Sequence, residues 1–335
     1  MMTSPSGSLA GARVRAPLHS YHALPAELPS SLLGALVFGG DARPECRQRG
    51  DPRLVGVALE TMPGSARVEA WHTGGPVTTG ERDGVLFSQS ADHFFGVIEL
   101  AEDAWGGPRG AAREAYRRLV RVHAGSEHRY VWRIWNFLDA INAGEGDEER
   151  YRLFCLGRAE GIGEHLCGYP AGSALGRRDG DRTLQVIWLA GREPGSPVEN
   201  PRQISAFRYP RQYGPAAPSF SRAIRLGQQV LISGTASIVG HETVHAGNLK
   251  AQLHESIANL KAVTRAAALG RARLTALKAY VRHAIDAAAV AAEIRTRCYP
   301  EAVACVLLAD ICRSDLLVEL EAIGQPHAAS PPPQA

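Results

Sequence analysis

The sequence predicts an α+β protein of two units side by side, each a sheet with helices packed on one face. Three observations predict it. Amphipathic segments whose apolar residues step by three and four alternate with short apolar runs bounded by Gly, Pro and Asp. Both halves run in the same order, strand, helix, strand, helix, strand, strand, without residue-level identity between them. The length of 335 residues suits two domains at ~100–200 residues each. The stretch Pro215 to Pro218 sets the boundary, giving domains over 13–215 and 216–326. The tails, 1–12 and 327–335, have the composition of disordered segments.

Strands are expected at Ala35–Gly40, Leu54–Glu60, Ala66–His72, Val85–Ser90 and His93–Leu100. A helix over PRGAAREAYRRLVRVHAG places Ala112, Ala115, Tyr116, Leu119, Val120 and His123 on one face, with Gly125 as its stop. YVWRIWNFLDAIN reads as a strand turning into a loop. GDEERYRLFCLGRAEGIGEHL reads as a helix with acids at its positive end. YPAGSALGRRDGDRT reads as a Gly-rich loop before the strand Leu184–Gly191, and ISAFRYP as a further strand. In the second half the strand Val230–Ser237 leads to a helix from Asn248 to about Ala268. Asn248 is its cap, and Leu249, Leu253, Ile257, Leu260, Val263 and Ala267 form its apolar face. The strand LTALKAYVRH, the helix DAAAVAAEIRTRC capped by Asp286, and the strands AVACVLLAD and LLVELEAIG follow.

Hydrophobic content of 45% and charged content of 21% describe a globular chain with enough apolar mass for a core. A net charge of +3 leaves no nucleic-acid footprint. Only Lys250, Lys261 and Lys278 are Lys; an Arg excess suits bidentate carboxylate recognition, and GC-rich codon usage produces it too. Six cysteines (Cys46, Cys155, Cys167, Cys298, Cys305, Cys312) without a CxxC pair read as reduced thiols. The N-terminus lacks a signal-peptide core, and no run of ~18 apolar residues occurs. A soluble cytoplasmic protein with no membrane partner is expected.

The stretch Asn200 to Asn248 concentrates donors between turn residues: Arg202, Ser205, Arg208, Tyr209, Arg211 and Tyr213, then Gly214. The strand that follows ends Ser-Gly-Thr, where Gly234 lets a ligand approach the backbone beside Thr235. This reads as the wall of a small-anion site. Arg133 and Asn136 end a strand and Arg158 sits on a helix. A dicarboxylate would need two such guanidiniums, because a buried anion must be paired.

The strand LLVELEAIG puts Glu319 and Glu321 on one face and Leu316, Val318 and Leu320 on the other. Either acid in a half-dry cleft would have a raised pKa and could donate a proton. Cys312, seven residues before Glu319, could face the same cleft or be a buried thiol. His241-Glu242-Thr243-Val244-His245 matches the zinc motif HExxH, which needs both histidines one turn apart on a helix. Gly240 and Gly247 bracket it and the periodic helix starts only at Asn248, so a loop without metal is expected.

GNLKAQLHESIANLKAV, followed by a strand, a helix and the terminal strand, resembles the YjgF/Rid superfamily. Gly247, Asn248, Gln252, Asn259, Leu260 and Ala262 match its helix motif, and Val318, Glu319, Glu321 and Ala322 its last strand. That covers about the last hundred residues. AVACVLLAD lacks the Arg that holds the substrate carboxylate in deaminase members, which counts against imine deamination.

Over its whole length the chain resembles the chorismatases. The blocks are YVWRIWNFLDAIN, FCLGRAEGIG, NPRQISAFRYPRQYGPAAPSFSRA, LISGTASIVGH and CRSDLLVELEA. The resemblance implies cleavage of chorismate to pyruvate and a ring acid, with no metal or organic cofactor. Members make 3-hydroxybenzoate, 4-hydroxybenzoate or the hydrolysed dihydroxy-cyclohexadiene acid. On that footing Glu319 is the expected proton donor, with Glu321 next. Arg133, Arg158, Arg202 and Arg208 are the expected anchors, with Asn136, Ser205, Tyr209, Tyr213, Gly214 and Thr235 around the substrate. Cys312 is expected to favour 3-hydroxybenzoate, with some 4-hydroxybenzoate and little diene. A diene-forming hydrolase, a zinc hydrolase and a non-enzymatic Rid-like binding protein are the alternatives. Rid-fold proteins are usually trimers, so a monomer with that interface partly internal, or a homotrimer, is expected.

Overall fold

A computed structural model describes residues 16–163, 165–267, 272–297 and 303–326. Both expected tails and Cys298 lie outside the described residues. Those described form three main sheets and a two-stranded ribbon.

The chain opens with β1 (Leu18–His22), β2 (Leu32–Phe38), helix α1 (Ala42–Arg49), β3 (Leu54–Val57) and β4 (Val68–His72). They form a four-stranded sheet, β1-β4-β2-β3. Next come β5 (Thr78–Arg82), β6 (Val85–Gln89), β7 (His93–Ala101), α2 (Pro108–His123), β8 (Tyr130–Asp139), α3 (Arg150–Ile162), β9 (Ala171–Arg177) and β10 (Thr183–Gly191). The last third holds β11 (Ser196–Val198), β12 (Ala223–Leu226), β13 (Gln229–Ala236), the ribbon β14 (Ile238–Val239) with β15 (Glu242–Thr243), and α4 (Leu249–Ala266). After these follow β16 (Ala272–Val281), α5 (Ala287–Arg297), β17 (Val303–Leu308), β18 (Asp310–Ile311) and β19 (Val318–Pro326). A six-stranded sheet runs β11-β12-β13-β19-β16-β17. A seven-stranded sheet runs β18-β9-β8-β10-β7-β6-β5, so β18 crosses over to complete it.

The three sheets share one plan. Each carries helices on its outer face: α1 on the first, α2 and α3 on the second, α4 and α5 on the third. Their inner faces meet in one core, where Phe38 and Trp71, Trp135 and Phe137, and Leu231 and Tyr280 come from the three sheets in turn. The α+β class and the helices on one face are as expected. Three strands of the first sheet, β2, β3 and β4, fall on expected strands, but their forming a separate third sheet with β1 and α1 was not expected.

Two expectations are corrected. The Gly-rich segment is the strand β9, parallel to β8 from Arg133↔Ala171 to Asp139↔Arg177. Its small residues make room for neighbours: a Cβ on Gly176 would meet Ile141 at 2.5 Å and Asp310 at 2.6 Å. ISAFRYP is not a strand. Two single 3-10 turns, Ala206–Arg208 and Arg211–Tyr213, carry the chain there, with Pro210 denying a ladder its N–H. At α4 the expected cap is present, with Asn248 Oδ1 accepting from the N–H of Ala251 at 3.1 Å. No helix among the described residues is long and apolar enough to cross a membrane.

Candidate active site

A cavity of about 420 Å³ lies between the two larger sheets. β9 supplies Ser173, β13 Gly234, β19 Glu319, and α3 Arg158; Tyr209, Gln212 and Tyr213 of the 3-10 turns cover it. Serine side chains stitch the sheets at its base. Gly172 N–H donates to Ser233 Oγ at 2.9 Å, and Gly234 N–H to Ser173 Oγ at 3.1 Å.

Of the three acidic residues on the cavity, Glu149, Asp315 and Glu319, the last is the one set in the sheet. The register of β13 against β19 shifts between Ile232 and Thr235, and Gly234 lies in that irregularity. A Cβ on Gly234 would stand 2.1 Å from Glu319 Oε1, so only glycine leaves the carboxyl its place. Glu319 is 5% exposed, and no hydrogen-bond partner among the described residues holds its carboxyl. Burial, and then the charge of Glu321, push its pKa up to about 8. At neutral pH it therefore carries its proton.

Four guanidiniums line the same cavity; that of Arg152 is taken by Glu149, Nε to Oε2 at 2.9 Å, which leaves three. Arg158 donates to the Ser219 carbonyl at 2.6 Å and lies 5.0 Å from the Tyr116 ring centroid. Arg222 donates to the Ile204 carbonyl and to the Tyr209 hydroxyl, each at 2.8 Å. Arg313 lies 3.9 Å from the Tyr213 ring centroid and donates to the His241 carbonyl at 2.9 Å. Each keeps one nitrogen without a partner among the described residues: Nε of Arg158, Nε of Arg222 and Nη2 of Arg313. Those nitrogens are themselves closed off from solvent; it is the positive charge of the guanidiniums on the cavity wall that suits an anionic ligand. Cys312 faces it too; burial, then Glu319, push the thiol up to about 12, which keeps it neutral.

Comparison with known proteins places the chain in a family. A chorismatase from Streptomyces rapamycinicus is 36% identical over 294 residues, covering 82% of this chain and 86% of that protein. The chain belongs to the chorismatase family. A 3-hydroxybenzoate synthase from Streptomyces hygroscopicus is 36% identical over 277 residues, 76% of this chain and 80% of that protein. Residues 69–190 match the family model described as chorismatase FkbO/Hyg5-like, N-terminal. A crystal structure of chorismatase at 1.08 Å resolution superposes with a TM-score of 0.80 at 28% identity, covering 93% of this chain and 99% of that one. The chain is thus a lyase-type enzyme.

In this chorismatase-family chain, six of the residues singled out in the sequence line the cavity: Arg158, Tyr209, Tyr213, Gly234, Cys312 and Glu319. The others stand off its wall. Arg133 is buried behind it, bonded to Ser173, to the Ile232 carbonyl and to Glu321, because β8 has neighbours on both sides. Glu321 shares that cluster. Asn136 accepts from the Tyr116 hydroxyl at 2.7 Å and donates to the Ser173 carbonyl at 3.0 Å. Arg202 is taken by Glu255 and Asn259 of α4, which moor the loop. Arg208 is exposed beside the Phe207 ring, and Ser205 opens a 3-10 turn. Gly214 packs near Arg152, and Thr235 turns its hydroxyl to the Ser233 carbonyl at 2.7 Å. The HETVH segment is not helical: Glu242–Thr243 form β15, and His245 has φ 63°, which breaks the one-turn spacing of its histidines. Arg222, Arg313, Ser173 and Gln212 were not read from the sequence. The available signals were the aromatic neighbour Phe220 for Arg222 and the adjacent Cys312 for Arg313.

Proposed function

We propose that this chain cleaves chorismate to pyruvate and a ring acid, with 3-hydroxybenzoate as the main product. Relatives named chorismatase and 3-hydroxybenzoate synthase support the substrate. One observation carries the chemistry: one cavity combines a buried carboxyl whose pKa is pushed up to about 8 with the guanidiniums of Arg158, Arg222 and Arg313.

Chorismate is a dianion, and each buried carboxylate needs an opposite charge. Arg158, Arg222 and Arg313 are the proposed anchors. Glu319 gives its proton to the terminal methylene of the enol ether, which becomes a methyl group on an oxocarbenium carbon. The ring C4 hydroxyl oxygen then bonds to C3 as the C3–O bond breaks, and that electron pair leaves with pyruvate. The hydroxyl proton restores the acid. The C4–O bond of the resulting epoxide breaks, the C3 hydrogen is lost as a proton to make the ring aromatic, and the oxygen left on C3 takes up a proton to become the phenol. No water is consumed. Capture by water instead would add one and yield the diene. A well-held internal nucleophile reaches an effective molarity of ~10⁵ M or more, so the internal route wins where the ring is held and water kept out. The neutral thiol of Cys312 is proposed to fill the space a water would need.

The test is incubation with chorismate, with pyruvate assayed and the ring acid identified by chromatography. Equimolar pyruvate and 3-hydroxybenzoate are expected. Diene as the main product would make the enzyme a hydrolase; binding without pyruvate would make it a binding protein.

A further inference from the structure

Behind Glu319 the three sheets meet in a buried cluster of charges that the cleavage steps above leave untouched. Lys278 of β16 donates to Glu69 of β4, and its Nζ lies 3.0 Å from Oε1 of Glu321 on β19. Arg133 of β8 closes on the other oxygen of Glu321, Nη2 to Oε2 at 2.5 Å. Glu321 also accepts from Trp135 Nε1 at 2.9 Å, Ser173 Oγ at 2.9 Å and the Tyr280 hydroxyl at 3.1 Å. Two cations thus face two anions. Glu319 is two residues along the same strand and shares its face with Glu321. Ionised, it would be a third carboxylate against the same two cations in a dry interior.

We propose that Glu321 is a positioning residue for the proton transfer. Held as an anion by Arg133 and Lys278, it keeps the Glu319 carboxyl in its proton-bearing form. Through Ser173 it also fixes the Gly234 backbone against which that carboxyl lies. This rests on Glu319 being the donor.

The other groups around the pair do not cancel the effect. Arg133 and Arg222 favour the ionised form of Glu319, yet burial and Glu321 outweigh them. Arg152, Arg158, Arg313, Glu149, Asp315 and the thiol of Cys312 also line the cavity, and none of them is among the main influences on Glu319. Around Glu321, burial holds Tyr21 and Tyr280 as neutral phenols. His19 Nε2 lies 3.6 Å from Glu69 Oε1, on the far side of Lys278.

The experiment measures kcat/KM for chorismate against pH, because that ratio reports ionisations of the free enzyme. Wild type, Glu319→Gln, Glu321→Gln, Glu321→Asp and Glu69→Gln are compared. Glu321→Gln removes the like charge and leaves the cations in excess, so Glu319 ionises sooner. The alkaline limb moves to lower pH by about one unit or more, about a tenfold extra loss at pH 8 relative to pH 6. Glu69→Gln strips Lys278 of one partner and moves the limb the same way by less. It carries the same test should Glu321→Gln not fold. Glu321→Asp keeps the charge and holds the limb near its wild-type place even where kcat falls. An unmoved limb in the folded Gln variants overturns the proposal. Near-native turnover in Glu319→Gln overturns the donor assignment instead.

Discussion

Glu319 and Glu321 stand two residues apart on one strand face, and their surroundings push their pKa values in opposite directions. Burial acts on both. At Glu321 the charges of Arg133 and Lys278 outweigh it and hold the carboxyl below the ordinary range. At Glu319 nothing outweighs it, and the pKa rises to about 8. Two carboxyls whose surroundings drive them apart are the signature of a proton-bearing acid beside a fixed anion.

Replacing the donor separates binding from chemistry. Glu319→Gln keeps affinity for chorismate by calorimetry and cuts turnover by ~10²-fold or more. In wild type the donor works when protonated, so kcat/KM is full below its pKa and falls as pH rises through about 8. The same shift bears on stability. Between the ordinary value of 4.5 and about 8 the folded state binds more protons than the unfolded, so stability falls as pH rises across that window. Glu319→Gln therefore melts several degrees above wild type at pH 9, and the difference closes near pH 4. An identical pair of melting curves at pH 9 would mean that the carboxyl is not desolvated.

The cavity arginines and the mooring arginines respond differently. Arg158→Ala or Arg222→Ala removes one member of a desolvated ion pair with the substrate, about 3–5 kcal/mol, and lowers kcat/KM by at least about 10²-fold. Arg208→Ala, on the exposed side of its turn, leaves kcat/KM within about twofold. Arg202→Ala lowers the melting temperature through the lost Glu255 and Asn259 contacts. Steady-state kinetics beside thermal melts separate the two groups. An Arg158→Ala enzyme with wild-type KM would move the carboxylate sites elsewhere.

Cys312→Ala opens room beside the ring without changing charge. The fraction of hydrolysed diene rises at the expense of 3-hydroxybenzoate, by about threefold or more in product ratio. Chromatography of the ring acids after full conversion reads it out. A ratio that does not move would reduce Cys312 to a packing thiol.

Gly234→Ala tests the register of donor and backbone. The added Cβ would fall 2.1 Å from Glu319 Oε1, so the carboxyl must swing away. A displacement of that order costs about 10²-fold in turnover while the far-ultraviolet spectrum stays native. Retained turnover would show that the carboxyl has room to move and still reach the enol ether.

The parts of the chain legible in sequence are those set by local periodicity. Asn248 and the apolar face of α4 announced themselves, as did the two acids alternating with Val318 and Leu320 on β19. β9 did not, because Gly172 and Gly176 owe their place to Phe220, Ile141 and Asp310, which approach from far along the chain. Arg222 and Arg313 were equally silent. Each is a lone cation in a turn, and only folding brings Tyr209 and Tyr213 against them. Arg133 looked like a ligand anchor and serves as the partner of a buried carboxylate. It does not end its strand as expected, since β8 runs on to Asp139, and which way it faces is settled by the strands on either side.

The place of β19 bears on how the molecule is made. β19 runs between β13 and β16, at the middle of the six-stranded sheet, and β18 supplies one edge of the seven-stranded one. A ribosome delivers both late. Until residues 310–326 have left the exit tunnel, β13 and β16 each offer a bare edge, and β9 lacks a neighbour. Such edges pair with whatever strand is at hand. Chains stopped short of residue 318 should therefore be sticky and a burden on chaperones, and they would lack the proton donor altogether.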